Sequence, residues 1–299
     1  MPMAYSDSNY HTQNGKAFAD AVRTATSGKL DIVVHGGGSL FKGGEIKRAI
    51  QTGQAPIGER LLSAHANENP LFGFDSVPFL ATSFDDSALL WKAAKPVIQE
   101  LMADQNLVLL YSVPWPPQGL YFKKSVSSAA DMKGIKFRTY NSMGGKMAEL
   151  AGMQPVQIEA AELMQALSRG VADGFISSGS TGYDRKVWEH LTHFYDVNAW
   201  LPRNYVFANK ESWDGLSEGE RNIVLGLSAL AERAGTAEAR RLADWYKKQL
   251  ADNGMTVQPA GEQLRADLEN IGKTLTDEWL TEAGAEGQKI VNSYRQMKN

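Results

Sequence analysis

The chain has 299 residues, 43% of them hydrophobic and 22% charged, with a net charge of −3. This is an ordinary globular composition with room for one large or two medium cores, and it supplies no basic field to hold nucleic acid or an anionic membrane surface. The absence of cysteine excludes disulfides and thiolate metal sites, and no apolar run approaches the ~20 residues of a membrane-spanning helix.

Met3–Tyr5 reads as a short first strand. His11–Thr26 follows as a helix with Phe18, Ala21, Val22 and Ala25 on its apolar face and Gly28 at its end. Leu30–His35, rich in β-branched residues, reads as a strand broken by Gly36-Gly37-Gly38, and Glu45–Gln51 as a helix closed by Gly53. This β-α-β-α order predicts a sheet with helical crossovers. The next stretch, LLSAHANENPLFGFDSVPFLA, has no clean period and is expected to line a wall between two lobes. Ser87–Asp104 is helical, with Leu90, Ala94 and Leu101 inward. Leu107–Tyr111 is a buried strand that runs into Val113-Pro114-Trp115-Pro116-Pro117-Gln118-Gly119, where the prolines stiffen the turn. Leu120–Lys124 carries the chain onward.

The most informative stretch is Asp131–Gly174, whose pattern is strand, helix, strand, helix, strand. Ile135–Tyr140 is the first strand. Ser142–Leu150 is a helix, with Met143, Met147 and Leu150 on one face and Gly152 where a left-handed cap belongs. Gln154–Ile158 is a short strand, Ala160–Arg169 a helix, and Asp173–Ser177 begins a third strand. Strands joined by such crossovers form parallel sheets, which bind ligands beyond their carboxyl ends. Arg138 lies towards that end, and Ser177 and Ser178 follow the third strand. A planar cation beside small hydroxyl donors suits a carboxylate, although position alone slightly favours an ordinary solvated strand residue.

Downstream, Asn204–Asn209 reads as a strand. Ser217 and Glu220 form a capping box for a helix running to about Asp252. Val224, Leu227, Leu230, Ala231, Ala234, Leu242 and Trp245 are its expected inward positions. At ~1.5 Å per residue such a helix is on the order of 50 Å long and should brace both lobes. Gly261–Gln296 is a charged amphipathic helix expected to pack on the outside.

Enzyme signatures are weak. His35-Gly36-Gly37-Gly38 is similar to an esterase oxyanion segment, but no G-x-S-x-G elbow accompanies it, since Ser178-Gly179-Ser180-Thr181-Gly182 lacks the first glycine. Gly272-Lys273-Thr274 lacks the first glycine of a phosphate loop, with Asp at 267, and follows no strand. His190 and His193 have no third ligand in register, so chance spacing is the better account. No metal and no cofactor are expected. Trp115, Trp200, Phe72, Phe74 and Phe79 could stack on a ligand ring, or belong to the core as aromatic residues usually do.

The run DMKGIKFR followed by GMQPVQIEAAELMQALSRGVADG resembles the substrate-binding proteins of tripartite ATP-independent periplasmic (TRAP) transporters, the DctP-type family. Met132-Lys133-Gly134, Arg138, Pro155, Glu162, Ala166-Leu167, Gly170 and Asp173-Gly174 agree with that family in order and spacing. The resemblance implies an α/β two-lobed periplasmic-binding-protein fold. Each lobe would be a mixed, mostly parallel sheet flanked by helices, with a long helix spanning both. Residues 1–122 plus 205–250 would form lobe I and 123–204 plus 251–299 lobe II, the ligand cleft lying between them and the crossings near Phe122, near Asn204 and within the long helix. It also implies a binding protein rather than an enzyme: a small organic acid is captured by hinge closure and handed to the membrane subunits of a TRAP permease. The location would be periplasmic, an export signal having been removed.

By the same resemblance Arg138 clamps the substrate carboxylate. The second basic residue common in the family falls on Gln118, whose neutral amide favours one carboxylate, with a keto or hydroxyl group beside it, over two. The family's asparagine on the third strand falls on Ser177, whose smaller side chain leaves room for an aromatic or branched group near Trp115. Ser178 and Trp200 complete the expected ligand-binding set. The alternatives are a ligand-sensing module for a receptor kinase and an α/β enzyme acting on a small acid; a genomic neighbour encoding a permease or a kinase separates the first, turnover the second.

Overall fold

The computed structural model describes residues 1–298. Its first part runs α1 (Tyr10–Ala25), α2 (Gly43–Gln51), β1 (Ile57–Leu61), 3-10 turns at Leu62–His65 and Pro70–Ser76, and α3 (Phe84–Ala103). The centre continues as β2 (Leu107–Pro114), β3 (Gln118–Phe122), α4 (Ala129–Met132), β4 (Lys136–Thr139), α5 (Ser142–Leu150), β5 (Gln154–Gln157), α6 (Leu163–Ser168) and β6 (Gly174–Ser178). The last third holds α7 (Gly179–Asp184), β7 (His193–Asp196), β8 (Arg203–Asn209), α8 (Lys210–Asp214), α9 (Glu218–Asp252), β9 (Thr256–Pro259) and α10 (Glu262–Lys298). These elements form two lobes, each built from three separated stretches. The first takes Met1–Leu61, Pro96–Pro114 and Arg203–Ala239; the second takes Leu62–Lys95, Trp115–Pro202 and Arg240 onward. Two changeovers fall in mid-helix, in α3 at Lys95–Pro96 and in α9 at Ala239–Arg240. The stretches Leu62–Lys95, Trp115–Phe122 and Arg240–Leu250, all assigned to lobe I on sequence, lie in the second unit, where β3 is hydrogen-bonded to both β6 and β7.

The first unit carries a three-stranded sheet in the order β1-β8-β2, antiparallel throughout. A parallel sheet from the N-terminal segments was the expectation. Met3–Tyr5 and Leu30–His35 do approach in parallel, with Met3 N–H donating to His35 O at 2.9 Å, but only one bridge forms, between Pro2 and His35. Val33 remains 56% exposed, so these segments have no fully covered face on which a ladder could extend. Helix α1 buries Phe18 and Val22 as its periodicity requires, while Ala25 is exposed.

Helix α9 starts on the predicted capping box: Ser217 Oγ donates to Glu220 Oε2 at 2.7 Å, and Glu220 N–H returns to Ser217 Oγ at 3.3 Å. Its buried stripe is Val224, Ser228, Ala231, Gly235, Ala239, Leu242, Tyr246 and Leu250, spaced by three and four. Leu230, Ala234 and Trp245 are therefore corrected to the exposed side. Gly235 sits where the helix is closest to its sheet, since a Cβ there would come within 2.6 Å of Val113 Cγ2.

Titratable groups are also buried in the first unit. Glu59 on β1 accepts from Asn204 Nδ2 at 2.9 Å and lies 3.7 Å from His11 Nδ1, with Arg203 and Tyr111 facing the same cluster. Burial raises the Glu59 carboxyl to about 8, the Asn204 hydrogen bond opposing it in part. Burial, and next the Arg203 cation, hold His11 well below its usual value.

The second unit is organised by a six-stranded mixed sheet in the order β5-β4-β6-β3-β7-β9. The expected crossovers place β5, β4 and β6 in parallel. Strand β3 then enters antiparallel between β6 and β7, and β7 pairs in parallel with β9. On one face Tyr121 stacks on Phe175 at 4.2 Å, packed with Phe194 and with Leu163 and Leu167 of α6. Gly152 and Gly170 both take positive φ, 76° and 66°, as the predicted helix ends demand. Phe72 and Phe74 are core residues at 1% exposure. Helix α10 buries Leu264, Leu268, Leu275, Trp279, Ile290 and Val291 and kinks at Gly284, which takes a non-helical φ of 60°.

Two consequences can be measured. Between pH 4.5 and 8 the folded state holds the Glu59 proton that the unfolded chain has released, so this group's contribution to stability falls as pH rises. His11 works in the opposite sense only below about 6.5, and the α-amino group, lowered to about 6, drifts upward in wild type and variant alike. The melting temperature of Glu59→Gln minus that of wild type should therefore grow from pH 6.5 to 8.5, by about 1–2 kcal/mol or several degrees; a flat difference counts against a buried neutral carboxyl. Gly119 on β3 has no room for a methyl group, since a Cβ would lie 2.4 Å from the Phe194 ring and 2.6 Å from Tyr195 O. Gly119→Ala is expected to cost about 1–3 kcal/mol in urea unfolding.

Candidate functional site

The parallel half of the second unit's sheet sets Arg138 on β4, registered with Val156 of β5 on one side and Phe175 of β6 on the other. Arg138 is only 1% exposed. Its Nε donates to Ile158 O at 2.8 Å, and Ile158 N–H returns to Thr139 O at 3.1 Å, so β5 is stapled to β4 just past the paired residues. The guanidinium carbon lies 5.5 Å from the centre of the Tyr140 ring, within cation–π range. Tyr140 itself is held between β4 and Asn141, which caps α5 by accepting from Gly144 N–H at 2.8 Å and reaches Ser63 Oγ at 3.3 Å.

The hydroxyl of Tyr140 leads away from the cation into a chain of hydrogen bonds. Trp200 Nε1–H donates to Tyr140 Oη at 2.7 Å, Tyr140 Oη–H donates to Gln118 Oε1 at 2.9 Å, and Gln118 Nε2–H donates to Pro116 O at 2.8 Å. The backbones of the same residues are bound as well: Gln118 N–H to Trp200 O, Ala199 N–H to Gln118 O, both 2.9 Å, and Trp115 N–H to Pro202 O, 2.7 Å. Gln118 is 2% exposed and Trp200 1%.

Of the residues singled out in the sequence, three are thus brought together: Arg138, Gln118 and Trp200, joined through Tyr140. Ser177 and Ser178 stand on β6 opposite Gly119 and Gln118. Ser178 is fully buried, and its Oγ makes no hydrogen bond among the described residues, although its carbonyl accepts from Tyr121 O–H at 2.9 Å. Trp115 is buried at the start of the proline turn. Phe79 has a left-handed backbone, φ 60°, and lies against Gly272 of α10. Tyr140 was not foreseen; the last residue of a predicted strand offers no signal that it will meet residues 22 and 60 positions away. Chemically, one phenol joins a buried guanidinium on its ring face to a neutral amide at its hydroxyl. That combination suits an anion of single charge with a neutral polar group.

The family model of bacterial extracellular solute-binding proteins, family 7 (DctP), matches residues 3–282. Among solved structures, a marine metagenome TRAP solute-binding protein from an unidentified microbe, specific for pyroglutamate, is 57% identical over 99% of this chain and 98% of its own, with a TM-score of 0.98. DctP7 of Bordetella pertussis, an extracytoplasmic solute receptor binding pyroglutamic acid, is 43% identical over 99% and 98% of the two chains, with a TM-score of 0.97. A monocarboxylate 2-oxoacid-binding periplasmic protein of a Nostoc species is 26% identical over 69% of this chain and 58% of that protein.

Proposed function

Because the chain belongs to the bacterial extracellular solute-binding proteins of family 7, the DctP type of TRAP transporters, we propose that it binds a small cyclic monocarboxylate of the pyroglutamate kind, with Arg138 as the carboxylate clamp. The observation that carries this reading is the buried Arg138 guanidinium, linked through the Tyr140 ring to a neutral Gln118 amide where family members often carry a second cation. One fixed positive charge is met by one carboxylate. A second carboxylate buried there would need a second cation, which the neutral Gln118 amide does not supply, at a cost of several kcal/mol. Gln118, Ser177 and Ser178 then serve the ligand's neutral polar groups, and Trp200 and Trp115 supply apolar wall. The chemistry named for the similar solved proteins, pyroglutamate, fits this set: one carboxylate and one lactam.

The family is one of transport proteins rather than of enzymes, and neither the sensor nor the enzyme alternative gains support from the relatives. In our reading the protein works outside the cytoplasm, closes on its acid by the hinge expected of the family, and delivers it to the membrane subunits of a TRAP permease.

Titration calorimetry and thermal shift with pyroglutamate, pyruvate, malate and benzoate test the assignment. Pyroglutamate at a hundred times its Kd should add about 2.7 kcal/mol of stability. Arg138→Ala should lose about 2–5 kcal/mol of binding, with the folded baseline retained. Undiminished affinity in that variant removes the clamp, and preference for malate removes the single-charge reading.

A further inference from the structure

The hydrogen-bond chain through Tyr140 has a direction that chemistry dictates. An indole N–H can only donate, so Trp200 makes the Tyr140 oxygen an acceptor, and the Tyr140 proton points to Gln118. A carbonyl can only accept, so Pro116 O holds the Gln118 Nε2 end. Rotating the amide by half a turn would put its oxygen against Pro116 O, acceptor facing acceptor. Both ends of the chain therefore fix the same orientation, and one N–H of the Gln118 amide is left without a partner among the described residues. The ring that does this also carries the Arg138 guanidinium on its face. One phenol thus sets the direction of the amide and the seat of the cation together.

We infer that Tyr140 is a positioning residue for ligand selection: it holds the Gln118 amide as a fixed neutral donor, which selects acids bearing an uncharged acceptor such as a lactam or keto oxygen beside the carboxylate. This rests on the reading of Arg138 as the carboxylate clamp. Its physical basis is preorganisation. An amide already locked in its donating orientation loses no rotational freedom when the ligand arrives, and it cannot turn its oxygen towards the ligand's acceptor. The phenol ring without its hydroxyl would still support the guanidinium, so the two duties of Tyr140 separate by substitution.

The experiment compares pyroglutamate with cyclopentanecarboxylate, a ring acid of the same size without lactam atoms, by titration calorimetry. The proteins are wild type, Tyr140→Phe, Gln118→Met and the double variant, with binding stoichiometry reporting the folded fraction. Tyr140→Phe should weaken pyroglutamate about tenfold, the scale of one hydrogen bond, and leave cyclopentanecarboxylate within about twofold. In the Gln118→Met background, Tyr140→Phe should cost nothing further, because the residue acts only through that amide. Equal weakening of both acids, or the same loss with and without Gln118, overturns the inference while leaving the clamp in place. Wild-type protein that binds neither acid overturns the clamp and the inference together.

Discussion

The second unit is built around the cost of keeping a guanidinium out of water. Arg138 is almost wholly buried, and a buried cation is tolerated only where fixed dipoles, an aromatic face or an anion replace its lost hydration. Each replacement here comes from a different part of the fold. The Ile158 carbonyl is delivered by the residue just past β5 and the Tyr140 ring by the end of β4, and the ring's own hydroxyl is held by the proline-turn amide of β3. The insertion of an antiparallel β3 into an otherwise parallel half-sheet brings Gln118 to the same end as Arg138. A parallel strand at that place would present its opposite end.

What could be read from the residues follows from how local the causes are. Helix α5 spans Ser142–Leu150 as its periodicity implies, and α9 begins at its capping box, because those signals lie within one or two turns. The buried face of α9 was misjudged by about one residue because Ser228 and Gly235 line it while Leu230 and Trp245 do not. Hydropathy ranks these residues in the reverse order. Small residues are inside for clearance, which is visible only once Val113 is known to lie opposite. The sheet of the first unit was beyond reach for another reason. Its central strand, β8, pairs with β1 about 150 residues earlier in the chain, and nothing in either segment names the other.

The candidate site divides along the same line. Arg138, Gln118 and Ser177 were reached through a family resemblance spread over many separated positions and Ser178 from its place at the end of the third strand, and the fold places them on neighbouring strands. Tyr140 carried no motif. Its importance arises from a hydrogen-bond sequence running through β3, β4 and the segment before β8, a property of three-dimensional neighbours alone. Glu59 and His11 belong to the same class: two ordinary titratable residues in the sequence, they become a neutral acid and a neutral imidazole only because both are sealed from water.

The interleaving of the two units has a consequence for how the chain acquires its structure during synthesis. The first unit needs Arg203–Ala239 and the second needs Arg240 onward, so neither can be completed before the segment from Arg203 has been made. Domains that occupy one continuous stretch can fold one after another as they emerge. Here both units draw on late segments of the chain, and the pairing of β1 with β8 must wait on a long loop closure. The interleaved order of segments thus ties the completion of one unit to that of the other.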